Sequence, residues 1–119
     1  MNHTMDYTAV ADVIRAGYGI TINGQNLAPA LGFMVSPYPA REERYRPEDI
    51  TPALIESFTK RNADLLGRAR HFTGAWIEDG LVFLDVSVNV FDRARAVELG
   101  IEHRQLAIWD VAKGYPIAL

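Results

Sequence analysis

The sequence has no cysteine in its 119 residues. That excludes disulfide frameworks, thiol nucleophiles and cysteine-ligated zinc together, and it fits a reducing compartment. Histidine is scarce, with 3 in all. No pair has the spacing of a zinc-binding helix and the acidic residues are scattered, so neither a metal site nor a cofactor is expected. Long apolar runs are missing too. The richest stretch, Leu81 to Phe91, is interrupted by Asp85, Ser87 and Asn89 and is too short to cross a bilayer as a helix. Met1 to Asp6 has no basic start leading into an apolar run, the pattern of a secretory leader. The expected compartment is therefore the cytoplasm, with no membrane partner.

Positive charge is not in excess. The net charge is -3, whereas proteins held to nucleic acid by phosphate contacts tend to be basic, so nucleic acid is a disfavoured partner. Ser36 and Ser87 lack the Gly-x-Ser-x-Gly setting of a nucleophile elbow. Gly17-Tyr18-Gly19 lacks the preceding strand and following helix that would make it a phosphate loop. Conventional hydrolase chemistry ranks low.

What is present reads as one domain over residues 1–119, with 49% apolar and 23% charged residues. Asp6 can cap a helix from Tyr7 to Ala16, stopped by Gly17. Tyr18 to Ile22 reads as a strand, Asn23-Gly24 opens a loop to about Gly32, and Phe33 to Ser36 reads as the returning strand. Arg41 to Asp49, with alternating charge, reads as a solvated connector or as an arginine-bearing lip over a pocket. Thr51 and Pro52 start a helix that Leu54, Ile55, Phe58, Leu65 and Leu66 extend to Gly67.

Asp79-Gly80 suits a two-residue hairpin turn between strands His71–Glu78 and Leu81–Val90. That turn fixes the register: Glu78 opposite Leu81, Trp76 opposite Phe83, Gly74 opposite Asp85, Phe72 opposite Ser87. Val82, Leu84, Val86, Val88 and Val90 then form one aliphatic face for helices to cover. The other face begins with Trp76 and Phe83 and turns polar at Asp85, Ser87 and Asn89. Asp92 can cap a helix from Arg93 to His103, Leu106 to Val111 returns as a strand, and Lys113-Gly114 leads to an edge strand that tolerates Pro116. The predicted fold is α+β, order α-β-β-α-β-β-α-β with an optional last strand. It has about five strands in a mainly antiparallel sheet, parallel pairings being allowed across the helical crossovers, and about three helices.

The face of Trp76, Phe83, Asp85, Ser87 and Asn89 is the candidate binding surface, with Gly74 leaving space above the Asp85 carboxylate. The alternative is a sheet face that simply meets water. His3 sits in the N-terminal segment and His71 begins a strand. His103, at a helix end, is either a cap or a general acid–base beside Asp85 or Asp110.

From Gly32 onward several segments carry a resemblance: Gly32-Phe33-Met34-Val35-Ser36-Pro37-Tyr38-Pro39, Asn62-Ala63-Asp64-Leu65-Leu66, Gly74-Ala75-Trp76, Leu84-Asp85-Val86-Ser87, Asp92-Arg93 and His103 to Asp110. This string resembles small uncharacterised actinobacterial and actinobacteriophage proteins. The resemblance implies a phage or prophage setting, and host cytoplasm if the protein is phage-encoded. A looser similarity is to metal-independent ribonuclease-like domains of phage polypeptides, for which His103, Asp85, Arg41 and Tyr45 are the catalytic candidates. Three functional expectations follow: an accessory protein that binds and modulates another protein, a metal-independent ribonuclease or toxin-like enzyme, and a self-assembling or virion-associated component that forms a homo-oligomer.

Overall fold

Three helices begin where a side chain satisfies the first free backbone N–H groups. Asp6 Oδ1 accepts from Ala9 N at 3.0 Å and opens α1 (Tyr7–Arg15). Thr51 Oγ1 accepts from Leu54 N at 3.1 Å and opens α2 (Pro52–Arg61). Asp92 Oδ1 accepts from Ala94 N at 3.2 Å and opens α4 (Arg93–Glu102). Such caps meet donors that have no intrahelical acceptor. The computed structural model describes residues 5–23 and 28–119. His3 and part of the expected Asn23–Gly32 loop lie outside the described residues.

The strands are β1 (Ile20–Ile22), β2 (Phe33–Val35), β3 (Glu43–Tyr45), β4 (His71–Glu78), β5 (Leu81–Val90), β6 (Ala107–Asp110) and β7 (Tyr115–Ala118). They form one sheet in the order β1-β4-β5-β2-β6-β7, with β3 also pairing β5. Every pairing is antiparallel. The β4–β5 hairpin turns through Asp79 at φ 51° and Gly80 at φ 76°, and its register is the one the turn dictates. On its other side β5 meets two short strands: β2 pairs with Val88–Val90 and β3 with Val82–Leu84. Between them the chain leaves the sheet, and Ser36 Oγ donates to Val86 O at 3.2 Å.

All helices cover one face of this sheet. Val82, Leu84 and Val86 of β5 pack with Val10, Ile14, Ile55 and Phe58 of α1 and α2. Under α4 a second cluster joins Val35, Ala96 and Ile108. Nine of the largest side chains, Phe58 and Leu84 among them, are fully buried, the burial that drives the layers together.

The α+β class and the antiparallel character agree with expectation, but the counts do not. The described residues hold seven strands and four α-helices. The charged connector conceals β3, whose Glu43 and Tyr45 turn inward while Arg44 turns out. The long helix expected from Thr51 to Gly67 breaks at Asn62 and resumes as α3 (Ala63–Leu66). Asn62 is buried, its Nδ2 donates to Phe58 O at 2.8 Å, and its Oδ1 accepts from Arg41 at 2.9 Å. An amide that bonds its own preceding turn competes with helix continuation. The optional last strand is real: β7 closes one end of the sheet, with Pro116 opposite Trp109. No described helix is long and apolar enough to cross a membrane.

Candidate functional site

The face of the sheet away from the helices holds a cleft of about 520 Å³. Alternation places its floor there. Thr21 lies opposite Gly74, Gly74 opposite Asp85, and Met34 of β2 lies opposite both Asn89 and Trp109. Trp76 and Trp109 contribute aromatic walls from β4 and β6, and Ala28, Pro29 and Gln105 add to the rim. The volume and the mixture of apolar wall with a few polar groups are those of a small-ligand pocket.

Asp85 is the one ionisable side chain lining the cleft among the described residues. It is only 7% exposed. Trp76 Nε1 donates to its Oδ2 at 3.2 Å. Burial pushes its pKa up to about 7; the Trp76 hydrogen bond opposes this and the charge of Glu42 adds to it. Gly74 makes room for the carboxyl, because a Cβ there would stand 2.5 Å from Asp85 Oδ1 and 3.3 Å from Ser87 Oγ.

An aromatic stack supports the wall. Trp76 and Phe83 stack with centroids 4.3 Å apart, and the Arg44 guanidinium lies 4.9 Å from the Phe83 centroid. Arg44 Nη2 also pairs with Glu42 at 3.1 Å. This face therefore already carries one cation over an aromatic ring.

Of the five residues expected on the binding surface, Trp76, Asp85 and Ser87 line the cleft. Phe83 backs Trp76, and Asn89 ties the approaching loop to the sheet through Nδ2, which donates to Leu31 O at 3.0 Å. The catalytic candidates divide. His103 caps α4, and its carbonyl accepts from Gln105 Nε2 at 3.3 Å, but its side chain does not line the cleft. Arg41 lines a separate charged depression, and Tyr45 joins it only through its hydrogen bond to Glu43. There Arg41 pairs with Asp64 at 2.8 Å, and Arg61 pairs with Glu43, which also accepts from the Tyr45 hydroxyl. The hydrogen bond from Arg41 leads in drawing the Asp64 carboxyl down to about 2, against a little desolvation. Burial acts to raise the Glu43 pKa, yet the bonds from Arg61 and Tyr45 outweigh it and leave that carboxyl below its ordinary value. These arginines are already matched by carboxylates.

His71 is buried on the helix-covered face. Its Nδ1 lies 2.8 Å from Ala69 O and its Nε2 lies 2.6 Å from the Tyr38 hydroxyl. A carbonyl can only accept, so Nδ1 carries the proton and Tyr38 donates to Nε2. Among the described residues no three His, Asp or Glu side chains converge as metal ligands do.

Trp109, Met34 and Gln105 were not singled out from sequence. A signal for Trp109 was available: Ile108 is buried under α4, so its neighbour must face the other way. Gln105, Ala28 and Pro29 come from loops whose approach no local pattern encodes. Comparison of the chain with family models, with curated proteins and with solved structures gave no match.

Proposed function

We propose that this chain is a non-catalytic accessory protein that binds a partner by taking one of its chemical groups into the open-face cleft. The observation that carries this reading is the cleft itself, a formed concavity with two indole walls and a single buried carboxyl on its floor. Ser87 shares that floor with Asp85, but among the described residues no hydrogen bond joins the Ser87 hydroxyl to that carboxyl, so the two do not form a nucleophile–base pair. A ribonuclease reading needs His103, Asp85, Arg41 and Tyr45 around one phosphodiester, and their places in the fold keep them apart. The segments similar to actinobacterial and phage proteins support a phage or prophage setting, with the host cytoplasm as the place of action.

Self-assembly through β7 is less favoured. Pro116 pairs with Trp109, and a proline has no N–H to offer, so its nitrogen occupies an outward position on the free edge and interrupts any added ladder.

The test is a fragment screen followed by NMR, with neutral, anionic and cationic sets. Binders should perturb the Trp76 and Trp109 indole N–H resonances, and Ala107→Trp, which fills the cleft from β6, should abolish binding. A screen in which no fragment of any charge perturbs those two indoles would sink the proposal.

A further inference from the structure

We infer that the group taken into the cleft is an organic cation, an ammonium or guanidinium on an apolar stem, with its charge set against Asp85. The inference rests on the cleft being the binding site, and it names the occupant's chemistry.

The case begins with the charge inventory. Asp85 is nine-tenths buried, and among the described residues Trp76 Nε1 is its sole hydrogen-bond partner. Oδ2 takes that bond, while Oδ1 lies over Gly74, 2.5 Å from where a Cβ would stand, with no hydrogen-bond donor among the described residues. No lysine, arginine or histidine among the described residues lines the cleft. Among the described residues the charge that bears on Asp85 is Glu42, before β3, and Arg44 of β3 pairs with it. The cleft-lining residues of β1, β2, β4 and β6 carry no titratable group. The site therefore holds, among the described residues, a buried acid without a counter-charge.

Three ligand classes can be weighed against that. An anion would meet Asp85 and Glu42 with like charge. A wholly apolar ligand would dehydrate the carboxyl further and leave it unpaired, which is costly. A cation completes the ion pair, and the indole walls add a favourable surface for its charge and its stem. The chain itself shows that this face accepts a guanidinium over an aromatic ring, at Arg44 on Phe83.

Lysine and arginine side chains of a protein partner share this chemistry with small free amines. Calorimetric titration with n-hexylamine and n-hexanol isolates the charge, because the two share one stem. Agmatine and the capped peptide acetyl-Gly-Arg-Gly-amide separate the sources. Hexylamine should bind at least tenfold more tightly than hexanol at pH 8, and Asp85→Asn should remove that preference. Its affinity should rise about tenfold per pH unit below about 7 and level off above, because the cation selects the ionised carboxylate. Tighter binding of the peptide than of agmatine assigns the group to a partner protein, and the reverse assigns it to a free amine.

Equal affinity for hexylamine and hexanol, or no binding of any of the three cations, overturns the inference on the unmodified protein, without relying on the variant. Neutral fragments that still perturb Trp76 and Trp109 would then leave the cleft as a binding site with another occupant. Silence of both indoles toward every fragment would instead remove the cleft reading itself.

Discussion

Gly74 stands directly opposite Asp85 across the β4–β5 pair, and the hydrogen that replaces its side chain is what lets Asp85 Oδ1 pack against the β4 backbone. Glycine inside a strand is ordinarily unfavourable by roughly 0.5–1 kcal/mol. Here the alternative is worse, since a Cβ would stand 2.5 Å from the carboxyl oxygen. Gly74→Ala is expected to lower stability by about 1–3 kcal/mol, read from the denaturant midpoint. A variant as stable as the parent would show that the carboxyl can swing aside freely.

Asp85 also sets a pH dependence. Its carboxyl titrates near 7 in the folded protein and near the ordinary value of about 3.9 when unfolded. Between those values the folded state holds the extra proton, so stability falls as pH rises from about 4 to about 7 and is flat above. The two values differ by about three pH units, and at about 1.4 kcal/mol each the full swing is roughly 4 kcal/mol. Asp64 acts with the opposite sign and lower down: its pairing with Arg41 stabilises above about 4 and is lost as pH falls toward 2. That pair is exposed, so its effect is small. Asp85→Asn should be more stable than the parent at pH 8 and should lack the decline between pH 4 and 7. Denaturant midpoints across pH 4–8 check this, and an unchanged decline in the variant would refute the assignment.

The part of the fold that was legible in the sequence is the part governed by short-range rules. Asp79-Gly80 demanded a tight turn, and from it the whole β4–β5 register followed, including Gly74 against Asp85. The Asp6, Thr51 and Asp92 caps were equally local. β3 escaped because its inward Glu43 is neutralised by Arg61, a partner eighteen residues away in sequence, while the Tyr45 hydroxyl satisfies the same carboxylate. The break at Asn62 escaped because an apolar stripe at Leu65 and Leu66 continues past it. The far wall of the cleft depends on β2 meeting β6, a pairing between residues more than seventy apart that no local pattern announces.

Trp76 offers a direct handle on the cleft. Trp76→Phe keeps a ring for Phe83 to stack on but removes the Nε1 donor. A hydrogen bond to a charged group contributes about 1.5–3 kcal/mol. Its loss should move the Asp85 titration upward by about one pH unit or more, followed by carbon-13 NMR of the carboxyl. A titration that stays in place would mean that the indole does not hold the carboxylate.

Asn62 joins three elements through one amide. Asn62→Ala leaves Phe58 O without its side-chain donor and takes one acceptor from Arg41. Phe58 O keeps the backbone N–H of residue 62 at 3.2 Å, so the cost is that of the two lost side-chain bonds, about 1–3 kcal/mol. The loss should be visible in thermal unfolding while the Trp76 and Trp109 indole resonances stay in place, since the cleft lies on the opposite face.

β5 lies between β4 on one side and both β2 and β3 on the other. During synthesis this imposes a timetable. β1 waits for β4, and β2 and β3 wait for β5, so three strands leave the ribosome with no ladder to join. β1 stays open to wrong pairing until β4 has emerged, and β2 until residue 90 has. A nascent chain halted before Leu81 can form its first helices but lacks the strand on which β2 and β3 assemble, so the sheet condenses late, around a single stretch of ten residues.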